Sequence, residues 1–128
     1  MTYIYEKLDV WKIALQFASD VMETVSTLPN TEPNRWILQK TEVSAAGISS
    51  AIAAGKSYRS KHDFVSHLYQ ARGALYETMT LLALLKQNNI IRERKFIDFN
   101  TSGNQLAAML TALIKSIYAP KASDEKAA

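Results

Sequence analysis

The chain of 128 residues has no cysteine, two histidines, three prolines and four glycines. Without cysteine it can form neither a disulfide nor a thiolate metal site, a composition at home in a reducing cytoplasm. His62 and His67 stand five residues apart, roughly 140° around a helix, so they cannot act as neighbouring ligands of one metal. No Glu is followed by His three residues later, which excludes the paired Glu-x-x-His ligands of a di-iron bundle. Gly47, Gly55, Gly73 and Gly103 are isolated in helical contexts, so no glycine-rich phosphate loop exists. Ser60, His62 and Asp63 supply the residue types of a hydrolytic triad. They crowd at one helix start, however, where a relay that converges from different directions cannot assemble. No apolar run approaches the length of a bilayer span, and the N-terminal MTYIYEKLDVWK is unlike a signal peptide. These absences predict a soluble cytoplasmic protein that is no enzyme, with no metal or cofactor and no membrane contact.

What the sequence does contain is helical periodicity. In the first segment Leu8, Trp11, Leu15, Ala18, Met22 and Val25 recur at steps of three and four. A second stripe, Val10, Ala14, Phe17, Val21 and Leu28, runs beside it, so this helix offers more apolar surface than one neighbour covers. Pro29 and Pro33 interrupt the pattern. A second helix is expected from about Asn34 to Ala54, with Gly55 as its stop. Ser60 followed by Asp63 resembles a capping box at the start of a third. Its seam, Phe64, Leu68, Ala71, Leu75, Thr78, Leu82 and Leu85, ends at Asn88 and Asn89. A fourth seam runs through Phe96, Phe99, Gly103, Leu106, Leu110, Leu113 and Ile117, with its helix start left open. Four long helices with short connections predict an all-α, antiparallel up-down-up-down four-helix bundle over residues 1–118. Residues 119–128, charged and alanine-rich, read as a disordered tail.

Ser44 to Gly55, SAAGISSAIAAG, is the most distinctive stretch. Its small and β-branched residues leave a nearly smooth helix surface, and the interior Gly47, which costs about 1 kcal/mol against alanine, suggests close approach of another helix. Ala46, Gly47, Ser50, Ala51, Ala54 and Gly55 are therefore the candidate packing surface, within the bundle or between subunits. The stretch ends in KSYRSK, a compact basic and aromatic loop. Fifteen Lys and Arg against twelve Asp and Glu give a net charge of +3, too mild by itself to identify a nucleic-acid binder. The bundle topology gives the charge an address. Lys56, Arg59 and Lys61 fall at the end that holds the termini, near Lys7, Lys115 and Lys121, and Arg35 falls at the other with Lys86, Arg92, Arg94 and Lys95. Two basic ends and a neutral waist are expected, although cations near helix C-termini also simply complement the helix dipole.

The spaced anchors Tyr5-Glu-Lys-Leu8-Asp-Val10-Trp11, Leu28-Pro29, Ile52-Ala53 with Gly55, Phe64 with Leu68, and Ala71-Arg72-Gly73-Ala74-Leu75 with Glu77 resemble the bundle proteins of the 23S ribosomal RNA intervening-sequence family. The resemblance covers Tyr5 to about Ile117. It implies a small four-helix bundle that assembles as a homopentamer. A related bundle, the accessory protein of diversity-generating retroelements, binds nucleic acid and a reverse transcriptase. The sequence departs from the family where an Asn-Ile-Ala-Glu-Gly box is usual, since Ala51 and Ala54 replace both polar members. The upstream arginine pair is also missing, its place taken by Glu42 and Val43.

Two functions follow as expectations. In the first, a homo-oligomer binds RNA or DNA, with Lys56, Arg59 and Lys61 on phosphates and Tyr58 stacked on a base. In the second, the oligomer is a scaffold that docks a protein partner such as a reverse transcriptase, without touching nucleic acid.

Overall fold

The computed structural model describes residues 2–119. A short 3-10 helix, Ile4–Lys7, leads into four α-helices: α1 (Asp9–Ser26), α2 (Glu32–Gly55), α3 (Lys61–Gln87) and α4 (Glu93–Tyr118). Each helix packs on its two neighbours in ring order, α2 against α3 most extensively and α1 against α4 most sparsely. Contacts descend one helix as they climb the next: Gly55 meets His67 while Gly47 meets Ala74, and Arg72 meets Thr111 while Met79 meets Gly103. This is an antiparallel up-down-up-down bundle, as the four seams predict. The tail expected over residues 119–128 lies, beyond Ala119, outside the described residues.

The core takes members of both stripes on α1. Val10, Ala14, Phe17, Val21 and Val25 are buried, together with Ala18, whereas Leu15 and Met22 remain 46% and 51% exposed. Of the expected first seam, Ala18 and Val25 enter the core and Leu8 and Trp11 pack against it, while Leu15 and Met22 face outward; the inward arc between the two stripes is filled by narrow Val and Ala side chains and by Phe17, which meets Phe99 of α4 edge-on at 6.0 Å. On α3 and α4 the expected seams enter the core, including Leu68, Leu75, Leu82, Leu85, Leu106 and Leu110.

Two helix ends differ from expectation for local reasons. α2 begins at Glu32, so Pro33 sits inside its first turn, where an amide donor would have no intrahelical acceptor anyway. Gly55 remains in helical conformation and the cap passes to Lys56. Its glycine identity answers to α3, since a Cβ there would lie 2.5 Å from the Cβ of His67. At the end of α3, Asn89 takes a left-handed φ of 59°, while the amides of Asn89 and Ile90 reach back to the carbonyls of Lys86 and Leu85 at 3.0 and 2.8 Å. That is a Schellman closure. A buried polar link crosses the α2–α3 seam: Thr78 Oγ1 lies 2.9 Å from Ser44 Oγ, which itself donates to the Thr41 carbonyl at 3.0 Å.

Candidate nucleic-acid interface

The loop joining α2 to α3 is built by the ends of both helices. The amides of Ser57 and Tyr58 bond back to Ala54 and Gly55, so the chain leaves α2 in a tight turn. Ser60 Oγ then accepts the Asp63 amide at 3.3 Å and starts α3. Lys56 is half-buried, its ammonium 4.9 Å from the centre of the Phe64 ring. Tyr58 leans on His67, their ring centres 4.9 Å apart, and keeps half its surface in solvent. His67 is held in turn by its Nδ1, which donates to the Asp63 carbonyl at 2.9 Å. Arg59 and Lys61 are exposed and make no ion pair among the described residues. Lys56, Tyr58, Arg59 and Lys61 thus lie together at the α2–α3 junction, the first two against aromatic rings and the last two exposed.

The packing candidates on α2 divide between two faces. Gly55 is buried against α3, Gly47 and Ala51 are half-buried, and Ala46, Ser50 and Ala54 are exposed. A Cβ at Gly47 would sit 3.8 Å from that of Ala74, an ordinary contact, so the helix crossing there leaves room for a methyl. The exposed set continues the line of Trp36 and Val43, which are 60% and 66% exposed, and no charged residue interrupts Val43 to Gly55.

Basic character belongs to one end of the bundle, not two. Among the described residues in the half that holds the α2–α3 loop, Lys7, Lys12, Lys56, Arg59, Lys61, Arg72 and Lys115 are set against only Glu6, Asp9 and Asp63. In the other half, Arg35, Lys40, Lys86, Arg92, Arg94 and Lys95 share the surface with Asp20, Glu23, Glu32, Glu42, Glu77, Glu93 and Asp98. The pairing is close where Lys40 approaches Glu77 at 3.6 Å and Lys86 approaches Glu93 at 3.9 Å. An open groove of about 640 Å³ between α1 and α4 at this second end sets Arg92 and Lys95 beside Asp20, Glu23 and Asp98, which cancels its appeal to a phosphate. Lys121, expected near the loop end, lies outside the described residues.

One cluster escapes the sequence reading. The Arg72 guanidinium lies 4.9 Å from the Tyr69 ring centre and 5.9 Å from that of Tyr76, and donates to Thr111 Oγ1 at 3.3 Å. The available signal was two tyrosines flanking an arginine at i, i+3 and i+7, on the face of α3 that its apolar seam leaves outside.

Among the described residues no group of three or more His, Cys, Asp or Glu side chains is placed to hold a metal ion, and no helix is long and apolar enough to cross a membrane. No curated protein matches the chain. Among solved structures, the crystal structure of a protein of unknown function from the S23 ribosomal protein family of Bacteroides thetaiotaomicron is similar. It superposes with a TM-score of 0.77 at 23% identity, covering 83% of this chain and 98% of that one. Identity at that level shows a shared fold. The sequence model of the family described as 23S rRNA-intervening sequence protein matches residues 6–112, which include the α2–α3 loop and the Tyr69–Arg72–Tyr76 cluster. A match across all of α1, α2 and α3 and most of α4 places the chain in a family: it belongs to the 23S rRNA-intervening sequence proteins.

Proposed function

We propose that the chain is a non-enzymatic, cytoplasmic homo-oligomer, a pentamer as its family resemblance implies, that binds RNA through the α2–α3 loop. The observation that carries this reading is the one-sided charge of the bundle, with its excess of cations at the end where Lys56, Tyr58, Arg59 and Lys61 meet. A polyanion is drawn to such an end, and neutralising its phosphates releases counterions. Tyr58 adds a ring available to a base. The outward face of α2 from Val43 to Ala54 carries no charge, and Leu15 and Met22 are exposed on α1; apolar surface left exposed in this way supports self-association.

The test is a titration of labelled single-stranded RNA against salt. Three loop contacts contribute about −2 to the log–log slope of the wild type, or roughly an 18-fold loss of affinity between 50 and 200 mM salt, and more if several subunits share one strand. Replacing Lys56, Arg59 and Lys61 with alanine removes that contribution. Salt-independent binding, or a triple variant equal to the wild type, would sink the RNA reading and leave a scaffold that docks a protein partner. Light scattering that reports a monomer at micromolar concentration removes the oligomer.

A further inference from the structure

The outward face of α3 continues the basic loop as a single stripe. His62, Ser66, Tyr69, Gly73, Tyr76 and Thr80 follow one another at alternating steps of four and three, and all are exposed. Tyr69 and Tyr76 stand two turns apart, about 10 Å along the axis, and His62 to Tyr76 spans about 21 Å.

Three features of this stripe have no explanation inside the subunit. Gly73 weakens the helix that contains it, yet a Cβ there would meet nothing within 4 Å, so no packing demands its absence. It gives the stripe a low floor between two projecting rings. Arg72 is half-buried and held against Tyr69 and Tyr76, with a single hydrogen bond to Thr111. The rest of its five donors have no carboxylate partner among the described residues. A guanidinium fixed in this way is pre-organised for an oxyanion that comes from outside. The third feature is the absence of acid. Asp63 and Glu77 are the only acids of α3, and Glu77 turns to Lys40 of α2; on α4 none follows Asp98 within the helix.

We propose that this stripe is a stacking track for single-stranded RNA, in which Tyr69 and Tyr76 receive bases and Arg72 holds the phosphate between them. The inference rests on the RNA reading of the loop and extends it along α3. Rings that alternate with cations recognise splayed bases rather than a closed duplex. Continuity with Arg59, Lys61 and His62 gives one strand a path from the loop onto the helix.

The experiment uses the full chain and a labelled oligouridylate that carries a photoreactive uridine. Tyr69→Ala with Tyr76→Ala should weaken binding by about tenfold or more while leaving the salt slope unchanged, since stacking is lost and no charge is removed. Tyr69→Phe with Tyr76→Phe should keep wild-type affinity. Arg72→Ala should reduce the slope by about 0.7, and Arg72→Lys should retain it. In the wild type, irradiation should attach RNA to α3 peptides that contain Tyr69 or Tyr76, a readout that stands even if the alanine variants are unstable. If the wild type binds, the double alanine variant binds within about twofold of it and no α3 peptide is labelled, the track is refuted while the loop reading survives. If the wild type binds no RNA at all, the loop reading falls and the track falls with it.

Discussion

Gly55 of α2 and His67 of α3 approach so closely that a methyl on the glycine would stand 2.5 Å from the histidine Cβ, with Phe64 Cδ1 a further obstacle at 3.2 Å. The obstructing atom sits at the root of its side chain, so a rotamer change cannot clear it. Gly55→Ala should therefore push the helices apart or untwist the end of α2. Overpacking costs about 1–3 kcal/mol, offset by about 1 kcal/mol of helix propensity, and the net expectation is a loss of up to about 2 kcal/mol in urea or thermal unfolding. Gly47→Ala and Gly73→Ala provide the contrast. Both sites have room for a methyl, and each substitution should stabilise by about 0.5–1 kcal/mol.

The Ser44–Thr78 link predicts a coupling. Thr78→Val keeps the shape and removes one hydroxyl, while Ser44→Ala removes the other; each should cost about 1 kcal/mol. Both groups are buried and joined across the seam at 2.9 Å. The double variant should then lose less than the two singles together, by about 0.5–1 kcal/mol in a double-mutant cycle. Strict additivity would mean that each hydroxyl is satisfied by its own helix, through the Ala74 carbonyl for Thr78 and the Thr41 carbonyl for Ser44.

At the α3–α4 turn the left-handed backbone of Asn89 carries the third prediction. A side chain in that conformation costs about 1–2 kcal/mol, which asparagine partly escapes and glycine avoids. Asn89→Gly should raise the melting temperature slightly, and Asn89→Ala should lower stability by about 0.5–1 kcal/mol. Neither should change RNA affinity, because the turn lies at the end of the bundle opposite the α2–α3 loop.

Much of this architecture was legible in the order of residues, and the places where reading failed share a cause. Periodicity finds an apolar face but does not say which members of two adjacent stripes a crowded core accepts, so Leu15 and Met22 read like Ala18 and Val25. Glycine announces that something is unusual without saying what: Gly55 and Gly47 both read as close-packing positions on α2, yet only Gly55 needs its missing methyl, whereas Gly47 meets Ala74 with room for one. Charge showed the same ambiguity. Arg92 and Lys95 stand in sequence as part of a basic cluster, and only the fold brings Asp20 and Glu23 of α1 across to meet them. Arg72 stands in sequence within the Ala71–Leu75 anchor, and only the fold sets Tyr69, Tyr76 and Thr111 around its guanidinium.

That redistribution of charge yields the last prediction. If cations alone attracted RNA, Arg92 and Lys95 would matter as much as Arg59 and Lys61. In the structure the first pair lines a groove with Asp20, Glu23 and Asp98, so a phosphate placed there meets opposing fields at short range. Arg59 and Lys61 make no ion pair among the described residues, and Asp63 is the only acid between Val43 and Tyr76. Arg92→Gln with Lys95→Gln should leave RNA affinity within about twofold of wild type, whereas Arg59→Gln with Lys61→Gln, an equal change in net charge, should reduce the single-strand salt slope by about 1.4. Equal losses in the two variants, measured by titration across salt, would show that net charge and not its address governs binding.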